Sequence, residues 1–120
     1  MISHQHRKFF HAAILSPILA MDKLVFNDIK IGDHIFAFSP KRMYGSNKEG
    51  LSRLKHFIKQ LDLNYPLDGD AKASSERLSD KELVDHIEFI RKIVAESGEI
   101  LPVDEAEWNR TFKNHGYKEL

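Results

Sequence analysis

The segment from Leu78 to Gly98 constrains the fold of this chain more than any other. Leu83, Ile87, Ile90 and Val94 recur at helical spacing and form one apolar stripe, which predicts a helix from about Asp80 to Ser97. Its start is written in Ser79-Asp80-Lys81-Glu82, an S-x-x-E capping box in which hydroxyl and carboxylate each satisfy a backbone N–H. Leu78 and Leu83 occupy the two positions of a hydrophobic staple, and Ser97-Gly98 supplies the stop, with Pro102 just beyond. A helix that is apolar on one side needs something to lie against, so the rest of the chain must supply elements that cover it.

A second S-x-x-E box, Ser46-Asn47-Lys48-Glu49, opens a predicted helix to about Asp62, with Leu51, Leu54, Phe57, Ile58 and Leu61 inward. Gly50 is expected to weaken it by about 1 kcal/mol relative to Ala. A short helix is predicted from Glu105 to about Asn114, with Asp104 as cap, Val103 stapled to Trp108, and His115-Gly116 as stop. Near the start, Phe9, Phe10, Ala13, Ile14 and Leu15 predict a helix from about Ser3, which Pro17 either kinks or extends by a new turn. Between Leu24 and Phe38, short runs rich in Val, Ile and Phe are punctuated by Asn27-Asp28 and Gly32-Asp33, the pattern of a β-hairpin, with a helix as the alternative for such short runs. Residues 64–75, with Pro66 and Asp68-Gly69-Asp70, are predicted to be a mobile loop. The expected fold is α+β and mostly helical: a single domain over 1–120, with three to four helices and one small hairpin between the first and second.

Composition narrows the class. With 42% hydrophobic and 30% charged residues the chain is globular, and without cysteine it has neither disulfides nor thiolate metal sites. The basic stretch from His4 to Lys8 and the apolar run after it superficially resemble an export signal. His11, Ser16 and Pro17 interrupt that run, and it falls short of the roughly 20 apolar residues of a membrane span, so residues 1–21 are expected to belong to a cytoplasmic fold. Net charge is zero but unevenly placed: ten Lys/Arg against four Asp/Glu in residues 1–60, and eight against fourteen in residues 61–120. A basic half can serve as a footprint for phosphate while the acidic half repels it.

Catalytic signals are absent. The chain has no G-x-S-x-G elbow and no phosphate loop, so an enzyme is not expected, nor a cofactor. His4-x-His6 with His11 can place three imidazoles together, but surface histidines on a frayed terminus are the expected reading. Asp68-x-Asp70 suggests a metal-dependent nuclease only weakly, since Asp-Gly makes a turn by itself. What remains is cations interleaved with aromatics: Arg7 and Lys8 before Phe9 and Phe10; Lys41, Arg42 and Tyr44 in an expected exposed loop; and Arg53, Lys55 and Lys59 on the following helix. Cations neutralise phosphates and exposed rings stack on unpaired bases, so these eight residues are the candidate nucleic-acid contacts, with Phe9 and Phe10 in the core.

Two segments together carry a family likeness. Residues 3–11, SHQHRKFFH, followed by an aliphatic stretch, resemble the opening of the NinB-type phage recombination proteins and their uncharacterised phage relatives. Residues 78–102, a capped helix ending in Ala95-Glu96-Ser97-Gly98-Glu99-Ile100-Leu101-Pro102, resemble their closing motif. Family members commonly have Gln-Asn where this chain has Gln5-His6, and residues 22–75 align with nothing in the family. The resemblance implies a non-enzymatic accessory factor of phage recombination or replication. Such a factor is α+β, can be dimeric, and binds single-stranded or branched DNA and a host single-strand-binding protein. Gln5, Arg7 and Lys8 carry over by position. The rival expectation is a protein–protein module, such as a phage-encoded inhibitor of a host defence or transcription complex, whose acidic face mimics nucleic acid.

Overall fold

In the computed structural model, which describes residues 4–103 and 105–113, the chain opens with helix α1 (4–19). It is α-helical over His4–Phe9, π-helical over Phe10–Leu15 and α-helical again over Ser16–Leu19. Pro17 cannot donate to the carbonyl four residues back, and its ring crowds that carbonyl. The preceding turn opens accordingly: Ser16 turns both its N–H and its hydroxyl to His11 O. Pro17 thus sits in the first turn of the last segment and extends the helix, one of the two outcomes predicted for it.

Strands β1 (Leu24–Ile31) and β2 (His34–Phe38) follow as an antiparallel hairpin. Gly32, at φ +65°, makes its two-residue turn. Asn27-Asp28 is no turn: the register slips between Phe26 and Lys30, so these residues belong to a bulge that leaves Leu24 and Phe26 facing the core. Helix α2 (Pro40–Tyr44), capped by the Ser39 hydroxyl, occupies the segment predicted as an exposed loop. Among the described residues it raises the helix count to five, one above the predicted range.

Helix α3 (Lys48–Leu61) is capped by the Asn47 side chain, which accepts from Gly50 N (2.8 Å), and not by Ser46. Gly50 is buried there, and a Cβ on it would lie 2.0 Å from Tyr44 O. The glycine is therefore required for α2 to fold back against α3, which corrects its reading as a weak point. The expected mobile loop holds a second small hairpin, β3 (Leu67–Asp68) with β4 (Ala71–Lys72), and a 3₁₀ turn, Ser75–Arg77.

Helix α4 (Asp80–Glu96) has both bonds of its capping box, with Leu78 and Leu83 buried as the staple. Helix α5 (Glu105–Lys113) follows; its predicted Asp104 cap and His115-Gly116 stop lie outside the described residues. One buried cluster joins α1, the β1–β2 hairpin, α3, α4 and Trp108 of α5. Leu83, Ile87, Ile90 and Val94 are all buried in it, each contributing about 1.5–3 kcal/mol by area.

His6 corrects a further expectation. It is fully buried, bonded through Nδ1 to Asp80 Oδ1 (2.8 Å) and through Nε2 to Thr111 O (2.9 Å), so it clamps α1 to α4 and α5. No helix among the described residues is long and apolar enough to cross a membrane.

Candidate nucleic-acid interface

On α3, Lys48, Leu51, Lys55 and Lys59 follow one another at three- and four-residue steps and so share one stripe. Opposite it, Arg7 and His11 are one turn apart on α1. His11 Nδ1 donates to Arg7 O (2.8 Å), which leaves Nε2 as the acceptor for Lys55 Nζ (3.0 Å). Burial, then the Lys55 and Arg7 charges, hold the His11 pKa below its ordinary value despite the Arg7 carbonyl. Burial and the neighbouring Lys59 likewise lower that of Lys55. Lys59, also lowered by burial, donates to Ala73 O (3.3 Å) and lies 5.7 Å from the Tyr65 ring centre. Burial is the first cause of all three shifts, and repulsion from neighbouring cations adds to it only at His11 and Lys55.

The seam continues toward the other end of α3. Ser16 and Leu19 of α1, Lys41 of α2, and Lys48 and Leu51 of α3 line an open groove of about 540 Å³. Because His11 meets Lys55 while Leu19 lies near Lys48, α1 and α3 run antiparallel along the seam. From Lys48 to Lys59 it extends about 16 Å at 1.5 Å per residue. Among the described residues, two carboxylates touch its cations: Glu76, 2.7 Å from Arg7, and Asp22, 3.9 Å from Lys41. Both pairs are largely exposed, so neither is strong.

The structure thus brings together four of the eight predicted contacts: Arg7, Lys41, Lys55 and Lys59. Lys8 is exposed on α1, one residue on from Arg7 and so off the Arg7–His11 face. Arg42 is exposed on α2, without an ion-pair partner among the described residues. Arg53 lies off the stripe and pairs with Glu49 (3.0 Å). Tyr44 does not fit its expected role. Its ring is half-buried between Phe38 (6.2 Å) and Phe57 (6.3 Å), part of an aromatic cluster with Phe26 and Phe36, so it is not free to stack on a base.

Two seam residues escaped the sequence reading. Lys48 is signalled by its spacing to Lys55 and Lys59, and His11 by its four-residue step from Arg7; pairing the two stripes needed the tertiary structure. Asp68 ends β3 and is paired to Arg77 (3.2 Å), Asp70 lies in the β3–β4 turn, and no three His, Asp or Glu among the described residues are grouped as metal ligands. Comparison with protein-family models, curated proteins and solved structures returns no match.

Proposed function

We propose that this protein is a phage-type accessory factor of recombination or replication. In this reading it acts in the cytoplasm and binds single-stranded or branched DNA non-enzymatically along the α1–α3 seam. The observation that carries the proposal is the alignment of Arg7, Lys41, Lys48, Lys55 and Lys59 on that seam, with His11 among them. A line of cations about 16 Å long can follow several phosphates of one strand, spaced at about 3.4 Å along a duplex axis. Phe10 and Tyr65, the rings beside the seam, are buried, so contact runs through the backbone and is tolerant of sequence. The likeness of residues 3–11 and 78–102 to NinB-type proteins supports the same class.

Fluorescence anisotropy with labelled single-stranded and branched oligonucleotides over a salt series tests this. Binding is expected to weaken with salt, and on a single strand each phosphate that the protein neutralises steepens the log–log slope by about 0.7. Lys48→Ala, Lys55→Ala and Lys59→Ala together should flatten it by about two. No binding at about 50 mM salt, or a triple variant indistinguishable from the parent, rejects the proposal.

The two carboxylates already touching the seam, and the acidic residues on the outer side of α4, favour a second reading: a protein–protein module such as a phage-encoded inhibitor of a host complex. A host partner retained after nuclease treatment, but released when the acidic residues of α4 are neutralised, supports that alternative.

A further inference from the structure

Where α3 ends, a separate open cavity of about 720 Å³ lies between the 62–66 segment and α4. Its walls are aromatic: Tyr65 and His86 meet edge to face at 4.8 Å, and His86 stacks on Phe89 at 6.2 Å. Its charge is mainly acidic, with Asp62, Glu82, Asp85 and Glu88 set against Lys92 alone among the lining residues. Lys72 approaches from outside, bonding the carbonyl of Asp62.

Most of these carboxylates have partners. Asp62, itself buried, accepts from Asn64 N–H (3.0 Å) and from His86 Nδ1 (2.7 Å). Asp85 pairs with Lys81 and Glu88 with Arg91. Glu82 meets no lysine or arginine among the described residues; one of its oxygens is held by Ser79 N–H in the capping box.

The second observation is independent of the acidic residues. Tyr65 is only 4% exposed, yet its hydroxyl has no hydrogen-bond partner among the described residues. Burial, with the carboxylates of Asp62 and Glu82, pushes the phenol up to about 12. Tyr65 itself lines the cavity together with both of those residues. Buried hydroxyls are nearly always bonded, and one left open beside a cavity is completed by whatever enters it.

We propose that this cavity binds a cationic nitrogen head group, the ammonium or guanidinium end of a basic side chain or a polyamine. The Tyr65 hydroxyl accepts from its N–H, Glu82 meets its charge, and the Tyr65, His86 and Phe89 rings surround its alkyl stem. Aromatic faces attract cations electrostatically, and the acidic rim excludes anions, so phosphate groups are directed to the seam instead.

The test is an NMR titration of the intact protein, following the Tyr65 and His86 ring protons. The probes are the blocked peptides Gly-Arg-Gly and Gly-Lys-Gly, spermidine, and Gly-Gln-Gly as the neutral control. Saturable shifts with the cations and none with the glutamine peptide are expected. A peptide-only response identifies a partner protein's side chain as the source, and a spermidine-only response a polyamine. Tyr65→Phe keeps the ring, and Glu82→Gln keeps a capping-box side chain; each should weaken binding tenfold or more while circular dichroism shows the fold retained. No saturable shift with any cation up to about 10 mM, well above a millimolar Kd, overturns the proposal. Equal shifts with the glutamine peptide, or unchanged affinity in both folded variants, overturn it as well.

Discussion

The α1–α3 seam and the cavity at the end of α3 both contain a histidine, buried or half-buried charge and a neighbouring aromatic ring, yet they treat charge in opposite ways. In the seam, His11 accepts from a lysine, and the cations are relieved by the Ala73 carbonyl and two exposed carboxylates. At the cavity, His86 donates to the buried Asp62, and acid groups outnumber the single basic residue in its lining. The difference shows that α3, one amphipathic helix, separates two electrostatic environments: its lysine stripe faces α1, and its C-terminal cap turns acid toward α4. Exposed pairs in the seam leave their charge available to a ligand, whereas a buried pair near the cavity is bound into the core.

That contrast can be broken most forcefully at Asp62. Asp62→Ala leaves His86 buried without its partner, and a loss of about 3–5 kcal/mol in urea-denaturation stability is expected, against less than about 1 kcal/mol for Arg7→Ala in the seam. Equal losses would show that the two regions do not differ as described. Next in size is Gly50→Ala. Helix propensity alone favours alanine by about 1 kcal/mol, but the clash with Tyr44 O should reverse the sign and cost about 1–3 kcal/mol. A stabilised variant would show that α2 can move away from α3 freely.

Tyr65→Phe sharpens the contrast from the other side. Removing an unpartnered buried hydroxyl should leave stability unchanged or raise it by up to about 1 kcal/mol, visible as a higher Tm. In the parent, the raised phenol pKa means the folded state holds its proton longer than the unfolded one. This stabilisation is fully present below pH 10 and is lost as pH rises toward about 12; the phenylalanine variant should lack that loss.

The smallest effect is expected at His11. Its lowered pKa means the unfolded state takes up the proton first, so stability falls as pH drops from about 6.5 through the folded value. Protonation adds a cation to the seam, so DNA affinity should rise over the same range, and His11→Gln should abolish that rise. A pH-independent affinity in the parent would remove His11 from the interface.

Much of the fold was legible in the sequence. The capping box at Ser79, the Leu83-to-Val94 stripe and the Gly32-Asp33 turn all depend on neighbours within a few residues, and each appears as predicted, while the new turn at Pro17 is one of the two outcomes the sequence left open. Where the reading failed, a distant contact decided. Asn47 displaced Ser46 as a cap where the chain closes α2 onto α3. Asn27-Asp28 became a bulge because a five-residue strand pairs with one of eight. His6, expected on a frayed end, found Asp80 and Thr111 far along the chain.

The candidate interface divides the same way. Lys55 and Lys59 could be placed on one helix stripe from spacing alone, and the positive balance of residues 1–60 from counting. That Arg7 and His11 meet that stripe, that Tyr44 is held among phenylalanines, and that Tyr65 lines a cavity with its hydroxyl buried were decided only by the tertiary structure. Helical period and capping are short-range properties carried by the local chain. Which side chains share a surface, and which lose water, depends on how separate elements pack, and no local pattern encodes that.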